Sequence, residues 1–286
     1  MLVTLNETLE WAERNKCAVG SFNTTNLESI RAVIEAAEEL NVPVVIMHAE
    51  VHESITPINV IGPVMVELAK RAKVPVCVHL DHGETLEYLS KALDLGFTSI
   101  MYDGSTLDYE TNVENTIKAV TLAKSKGASV EAEIGVLGKR ELGAGHDDDE
   151  KEHEMIYTDP DFAQSFVKDT GIDALACSFG TAHGLYLTKP KLNMNVLDKI
   201  NSKVDVPIVM HGGSGVSVED YIEVISKGVR KINYYTYMAK EGGEEVARKI
   251  NEHSGNVIYY HDICNWALSA MKENAKQAMK VFAGMN

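Results

Sequence analysis

Eight times along the chain a short apolar segment is followed by a longer amphipathic one, and this repetition restricts the fold more than any single motif does. The apolar segments fall at residues 18–23, 43–48, 75–81, 99–104, 129–135, 174–180, 207–211 and 231–236, and their aliphatic and β-branched residues predict strands buried on both faces. The intervening stretches carry helical spacing. In residues 26–40, Ile30, Val33, Ile34 and Ala37 share one face, and Asn26 stands where an N-cap belongs. Similar helices are predicted over 57–72, 84–95, 109–126, 159–170, 193–200 and 217–227, and from the eighth strand to 253. Alternating strands and helices imply a parallel sheet, and eight such units imply closure into a (β/α)8 TIM barrel of the α/β class. Residues 4–15 predict a short N-terminal helix. Residues 262–282 predict an extra C-terminal helix, with no strand after it, that packs across the barrel or onto a partner subunit. No linker or composition break interrupts the repeat, so residues 1–286 read as a single domain.

In such a barrel the C-terminal ends of the strands share one mouth. The third strand runs Val76-Cys77-Val78-His79-Leu80-Asp81-His82-Gly83, the sixth ends in Gly180-Thr181-Ala182-His183-Gly184, and the seventh in Met210-His211-Gly212-Gly213-Ser214. Polar groups at the ends of apolar strands are costly unless they bind something. His82, His183 and His211 therefore converge, and three neutral imidazoles with an open fourth position describe a catalytic zinc site. The plainer alternative is three unrelated polar strand ends. Glu131 and Glu133, two apart on the fifth strand, point to one face and need positive partners inside a barrel. Those partners are either the metal, with Asp103 as an acidic neighbour, or a Lys or Arg in a buried ion pair, and the sequence leaves both open. Gly212-Gly213-Ser214-Gly215 lets backbone N–H groups approach an oxyanion, and the helix starting near Ser217 adds its N-terminal dipole. Asn233 and Thr236 add side-chain donors where barrels of this class commonly bind phosphate.

The rhythm breaks at residues 138–154, a Gly-rich and charge-rich stretch whose length predicts a mobile lid. His146 and His153 within it read as exposed loop histidines rather than metal ligands. Against 27 Lys and Arg stand 42 Asp and Glu, a formal charge of −15, which argues against nonspecific nucleic-acid or anionic-membrane binding. An anionic substrate must then meet local donors or a metal. Cys17, Cys77, Cys177 and Cys264 form no CxxC pair and read as reduced thiols of a cytoplasmic protein. No signal-peptide pattern and no membrane-length apolar run is present, so a soluble protein is expected.

Residues 18–23, His79-Leu80-Asp81-His82-Gly83, Asp103-Gly104-Ser105, Val130-Glu131-Ala132-Glu133, Gly180-Thr181-Ala182-His183-Gly184-Leu185-Tyr186, His211-Gly212-Gly213-Ser214-Gly215 and Lys231-Ile232-Asn233 span nearly the whole chain. Together they resemble the class II, zinc-dependent ketose-bisphosphate aldolases, especially the fructose- and tagatose-bisphosphate branch. The resemblance implies that His82, His183 and His211 ligate zinc, one per subunit, with a monovalent cation as an optional companion. It places Asp103 and Glu133 near an alternate metal position and gives Asp81 the role of catalytic proton carrier. It assigns a dihydroxyacetone-phosphate site to Gly184, Gly212, Gly213, Ser214, Asn233, Tyr234, Tyr235 and Thr236, with Asn23 in the substrate pocket. The implied reaction is reversible cleavage of a ketose bisphosphate or ketose 1-phosphate into dihydroxyacetone phosphate and an aldehyde, through a metal-stabilised enediolate. A second acid-base group is expected on the loop after the fifth strand, and Glu141 is the candidate. A homodimer or homotetramer is also implied.

Three departures bear on the substrate. Tyr234 and Tyr235 stand where the family has a small aliphatic residue and then Asp or Ala, which predicts a narrower, more aromatic pocket. No Arg follows Arg248 to meet a far phosphate, leaving Lys272 and Lys276 as imperfect substitutes. The second strand ends in His48-Ala49-Glu50, where a serine is frequent. These features predict a ketose 1-phosphate or an unusual bisphosphate. The competing readings are a zinc hydrolase on the same barrel, disfavoured because Ser21-Phe22-Asn23 lacks a His-x-His pair, and a non-catalytic metal- or sugar-phosphate-binding homologue.

Overall fold

Side-chain caps set most helix starts close to where the pattern puts them. The computed structural model describes residues 1–135, 138–139, 157–184, 190–253 and 255–285, with backbone alone at 138, 139 and 183. After β1 (Leu2–Val3), Thr4 opens α1 (Leu5–Asn15): its hydroxyl accepts from the Glu7 N–H while the Glu7 carboxylate accepts from the Thr4 N–H. Then come β2 (Val19–Asn23), α2 (Leu27–Leu40), capped by Asn26, and β3 (Val44–Ala49). A 3-10 turn (Glu50–Ser54), absent from the sequence reading, leads to α3 (Ile58–Arg71) and β4 (Val76–Gly83). Thr85 caps α4 (Leu86–Asp94), which leads to β5 (Ser99–Tyr102); Asp108 caps α5 (Tyr109–Ser125), which leads to β6 (Ser129–Ile134). The predicted lid, 138–154, and Glu141 within it lie outside the described residues, apart from the backbone of β7 (Gly138–Lys139).

Asp159 caps α6 (Pro160–Thr170), with Pro160 at the first helical position. The remaining elements are β8 (Ala174–Cys177), β9 (Ala182–His183), α7 (Met194–Asn201), β10 (Ile208–Met210), α8 (Val218–Ser226), β11 (Val229–Tyr234), α9 (Thr236–Glu252) and α10 (Tyr260–Phe282). β2, β3, β4, β5, β6, β8, β10 and β11 pair in parallel, and β11 returns to β2, so eight staves close into a barrel. β7 and β9 form a separate parallel pair beyond the staves.

Alternation along the staves divides the apolar residues into two layers. An inner cluster holds Val19, Val45, Met47, Cys77, Met101, Ala174, Ala176 and Val209, together with Leu5 and Leu9 of α1. The N-terminal helix thus plugs the barrel. The outer cluster fills the space between staves and helices. The C-terminal helix takes the first of its two predicted placements: α10 packs on α2 and α9, and the Phe282 carbonyl accepts from the Ala18 N–H at 2.9 Å. Inner-layer apolar residues at one end leave the polar ones, Asn23, Asp81, Glu133 and Asn233, at the other.

Candidate active site

Strict alternation in β4 would put Cys77, His79 and Asp81 inside the barrel and turn His82 away. His82 escapes this by adopting a left-handed backbone, φ 47°, where the β4–β5 register shifts between Leu80 and Gly83. The other described non-glycine residues with positive φ, Lys16 and Asn41, are helix C-caps. At His82 the conformation costs on the order of 1–2 kcal/mol and brings two successive polar side chains to one site.

His82 Nδ1 lies 2.6 Å from Asp103 Oδ2, and His82 Nε2 lies 2.9 Å from His211 Nδ1 and 4.0 Å from Asp81 Oδ1. His211 Nε2 meets Glu131 Oε1 at 2.8 Å, and Lys231 Nζ meets Glu131 Oε2 at 2.8 Å. The same ammonium donates to Asn233 Oδ1 at 2.8 Å. The Asn233 amide donates to Asp81 Oδ1 at 3.2 Å, and the Asn23 amide donates to Asp81 Oδ2 at 2.9 Å. One polar network therefore runs from Asp103 to Asn23 through residues on or just after six staves, β5, β4, β10, β6, β11 and β2.

The two readings left open for the fifth-strand carboxylates divide between them. Glu131 is in a buried ion pair with Lys231, both wholly shielded from solvent. Burial opposes its charge, but Lys231 and the His211 hydrogen bond hold its carboxyl well below the usual range. Glu133 has no lysine or arginine partner among the described residues: burial, then the Asp103 charge, pushes it up to about 8 against the opposing charge of His82. Burial also opposes the Asp81 anion, yet positive charge at His82, His211 and Lys231 holds that carboxyl well below its ordinary value. Lys231, which the motif alone leaves without a role, was signalled by parity, being a lysine two residues before Asn233 in an apolar strand.

Asp81, His82 and His211 each offer a ligand atom within 4.8 Å of the others, as do His82, Asp103 and Glu133. Glu133 Oε2 is buried with no hydrogen-bond partner among the described residues. Imidazole nitrogens and carboxylate oxygens at this spacing fit a divalent cation. The His183 backbone lies in β9, and its side chain is outside the described residues.

The glycine turn is built as much for packing as for binding. Gly212 sits at φ 62°, where an added Cβ would lie 2.3 Å from the Ala182 carbonyl oxygen. The Gly213 N–H, expected to face an oxyanion, donates to the Asn233 carbonyl at 3.0 Å. Ser214 Oγ accepts from the Tyr235 N–H at 3.0 Å, tying the turn to the start of α9, which has no side-chain cap. Gly184 follows β9 at φ 97°, and Thr236 is the first residue of α9. Tyr234 departs from its expected place. Its ring lies edge-on to Phe22 and Phe282 between staves and helices, because Asn233 takes the inward position and its neighbour must face out. Lys272 and Lys276 are both held by Glu39 of α2.

The family model described as class-II fructose-bisphosphate aldolase matches residues 3–286. The chain belongs to that family. The fructose-bisphosphate aldolase of Staphylococcus epidermidis is 36% identical over 290 residues, covering 100% of this chain and 98% of the relative. That of Geobacillus stearothermophilus is 40% identical over 240 residues, 82% of this chain and 81% of the relative. The crystal structure of the YdjI aldolase from Escherichia coli K12 superposes with a TM-score of 0.86 at 34% identity, covering 99% of this chain and 97% of that one. This class II aldolase is thus a carbon–carbon lyase acting on ketose phosphates, and the hydrolase and non-catalytic readings fall away. No helix among the described residues is long and apolar enough to cross a membrane.

Proposed function

We propose that this aldolase is zinc-dependent and cleaves a ketose phosphate between C3 and C4 into dihydroxyacetone phosphate and an aldehyde. The observation that carries this reading is the convergence of Asp81, His82 and His211 to within 4.8 Å, with Asp81 clamped by two asparagine amides. His82 and His211, with His183 by family resemblance, would hold the zinc, and Asp103 and Glu133 an alternate position. When bound, zinc supplies Lewis acidity that polarises the ketose carbonyl and the neighbouring hydroxyl. Asp81, held as an anion, takes the proton from the C4 hydroxyl during cleavage and returns one to the aldehyde oxygen during condensation. Asn23 and Asn233 orient it, and Lys231 and Glu131 fix Asn233 and His211 in turn. Gly184, Gly212, Ser214, Asn233, Tyr235 and Thr236 line the triose-phosphate site, with the uncapped start of α9 favouring the anion. Glu141 is proposed to exchange the proton on the carbanion carbon.

The substrate is a ketose 1-phosphate or an unusual bisphosphate. Supporting this are the absence of any Arg after Arg248 and the engagement of Lys272 and Lys276 by Glu39. The same reading takes residues 1–286 as one catalytic domain of a cytoplasmic homodimer or homotetramer. Triose-phosphate release from a panel of ketose phosphates, with and without chelator, tests it. Metal-dependent release is expected, while full release in excess chelator would remove the zinc requirement and strong turnover of fructose 1,6-bisphosphate would remove the narrower substrate.

A further inference from the structure

We infer that His52, on the turn after β3, is a specificity-determining residue that recognises a hydroxyl of the aldehyde half, and that this half carries no second phosphate. The inference rests on the triose-half reading above and names what lies beyond it. Around the barrel, the candidate metal ligands come from β4, β6 and the segments after β5 and β10, and the phosphate-side turn spans β10 and β11. A ketose anchored there, with its C4 hydroxyl at Asp81, must run its remaining carbons toward the sector of β2 and β3, from which Asn23 reaches Asp81. His52 stands in that sector. Its ring centroid is 5.2 Å from that of Tyr235, which immediately precedes α9, so a residue after β3 and a residue after β11 meet across the end of the intervening β2.

His52 Nδ1 is shut off from solvent and has no hydrogen-bond partner among the described residues. Burial lowers the ring's pKa, opposed by the nearby Asp81 charge, so His52 is neutral at physiological pH. A neutral imidazole offers one donor and one acceptor nitrogen, and a hydroxyl pairs with Nδ1 in either tautomer, donating to it or accepting from it. Beneath it, His48 lies edge-on at 6.5 Å and is fixed from behind. The Tyr88 hydroxyl donates to Glu53 Oε2 at 2.6 Å, so its oxygen accepts from His48 Nε2–H at 3.2 Å, and His48 Nδ1 is left as a buried acceptor without a partner among the described residues. The charged groups of the sector are Asp81, Glu50, Glu53, Glu84 and Lys91, and Lys91 is already paired with Glu53 at 3.2 Å. A phosphate dianion would meet net negative charge there, whereas a hydroxyl meets two unsatisfied ring nitrogens.

The test is condensation with dihydroxyacetone phosphate, comparing glyceraldehyde, glyceraldehyde 3-phosphate and propanal as acceptors, for the native enzyme and for His52→Ala and His52→Asn. The native enzyme should favour glyceraldehyde over both others by roughly tenfold in kcat/KM, the size expected of one or two hydrogen bonds. His52→Ala should abolish the margin over propanal by raising the glyceraldehyde KM, and His52→Asn, whose amide nitrogen or oxygen sits near the Nδ1 position, should recover part of it. Exchange of dihydroxyacetone-phosphate protons in heavy water uses the triose half alone and should be unaffected by either change. A native preference for glyceraldehyde 3-phosphate, or equal losses for glyceraldehyde and propanal in His52→Ala, overturns the inference. Failure of the native enzyme to exchange those protons would strike the triose-half reading, and this one with it.

Discussion

Asp81 is a carboxylate whose two oxygens are each held by a different asparagine, one from β2 and one from β11. Such clamping orients a proton acceptor without contributing a proton of its own. Asp81→Ala is expected to retain bound zinc, measured by metal analysis, and to lose C–C cleavage by roughly 10²–10⁴-fold; near-full activity would remove Asp81 from the mechanism. Lys231 and Glu131 illustrate a different economy at the same scale. Removing one member of a buried pair strands the other, so Lys231→Met should lower unfolding free energy by roughly 3–5 kcal/mol in denaturant titration, and adding Glu131→Leu should restore much of the loss. A double variant no better than the single one would mean that the His211 contact, not the ion pair, governs this site.

His48 supplies the pH dependence. Burial depresses its pKa to about 4, below an unfolded value of about 6.5. The folded ring refuses a proton that the unfolded chain accepts, so its stabilising contribution is complete above the unfolded value and is lost as pH falls toward 4. Between pH 7 and 5 this amounts to about 2 kcal/mol, which should appear in urea titrations as a loss of stability that His48→Gln reduces. An unchanged pH slope in that variant would assign the acid sensitivity elsewhere.

At the scale of elements, the N-terminal helix acts as a stopper. Amphipathic spacing in residues 4–15 announces a helix, but a helix with one apolar face can cover the outside of a barrel as readily as its end. Leu5 and Leu9 join Val19, Val45 and Met47 in the inner cluster, so α1 closes the end opposite the polar residues. Leu9→Ala should therefore behave as a core truncation, costing roughly 2–5 kcal/mol in denaturant titration, and a loss under about 0.5 kcal/mol would mark the helix as peripheral. The turn after β3 and the left-handed step at His82 belong to this scale as well. Neither has a periodic signature, and both place side chains that regular strands would have sent elsewhere.

For the whole molecule, a cation at the mouth would join staves that are distant in the chain. It would also relieve the crowding of Asp103 and Glu133, where burial and then the Asp103 charge push Glu133 up to about 8. Because unfolded chain has no such preformed site, chelation should lower Tm by roughly 5 °C or more in differential scanning calorimetry, with recovery on adding zinc. No change in Tm would mean that the cluster binds the ion too weakly to couple it to folding.

The barrel was legible in the sequence because it is written in local terms. Strand and helix periodicities, Asn26 as a cap, and eight repeats each act within a few residues. The strand-end polar residues were legible too, since the fold delivers every such end to one mouth. Other features depended on which face a residue takes and what meets it across closure. Parity turned Tyr234 out onto Phe282, a register shift turned His82 in beside Asp81, and the meeting of β6 with residues from β10 and β11 gave Glu131 its lysine while leaving Glu133 without one among the described residues. Sequence by itself determined the repeat and the kinds of group at the mouth, because those follow from short-range sterics and solvation. Tertiary structure alone decided which groups pair and which remain open to a ligand, because hydrogen bonds and charges depend on ångström distances between segments far apart in the chain.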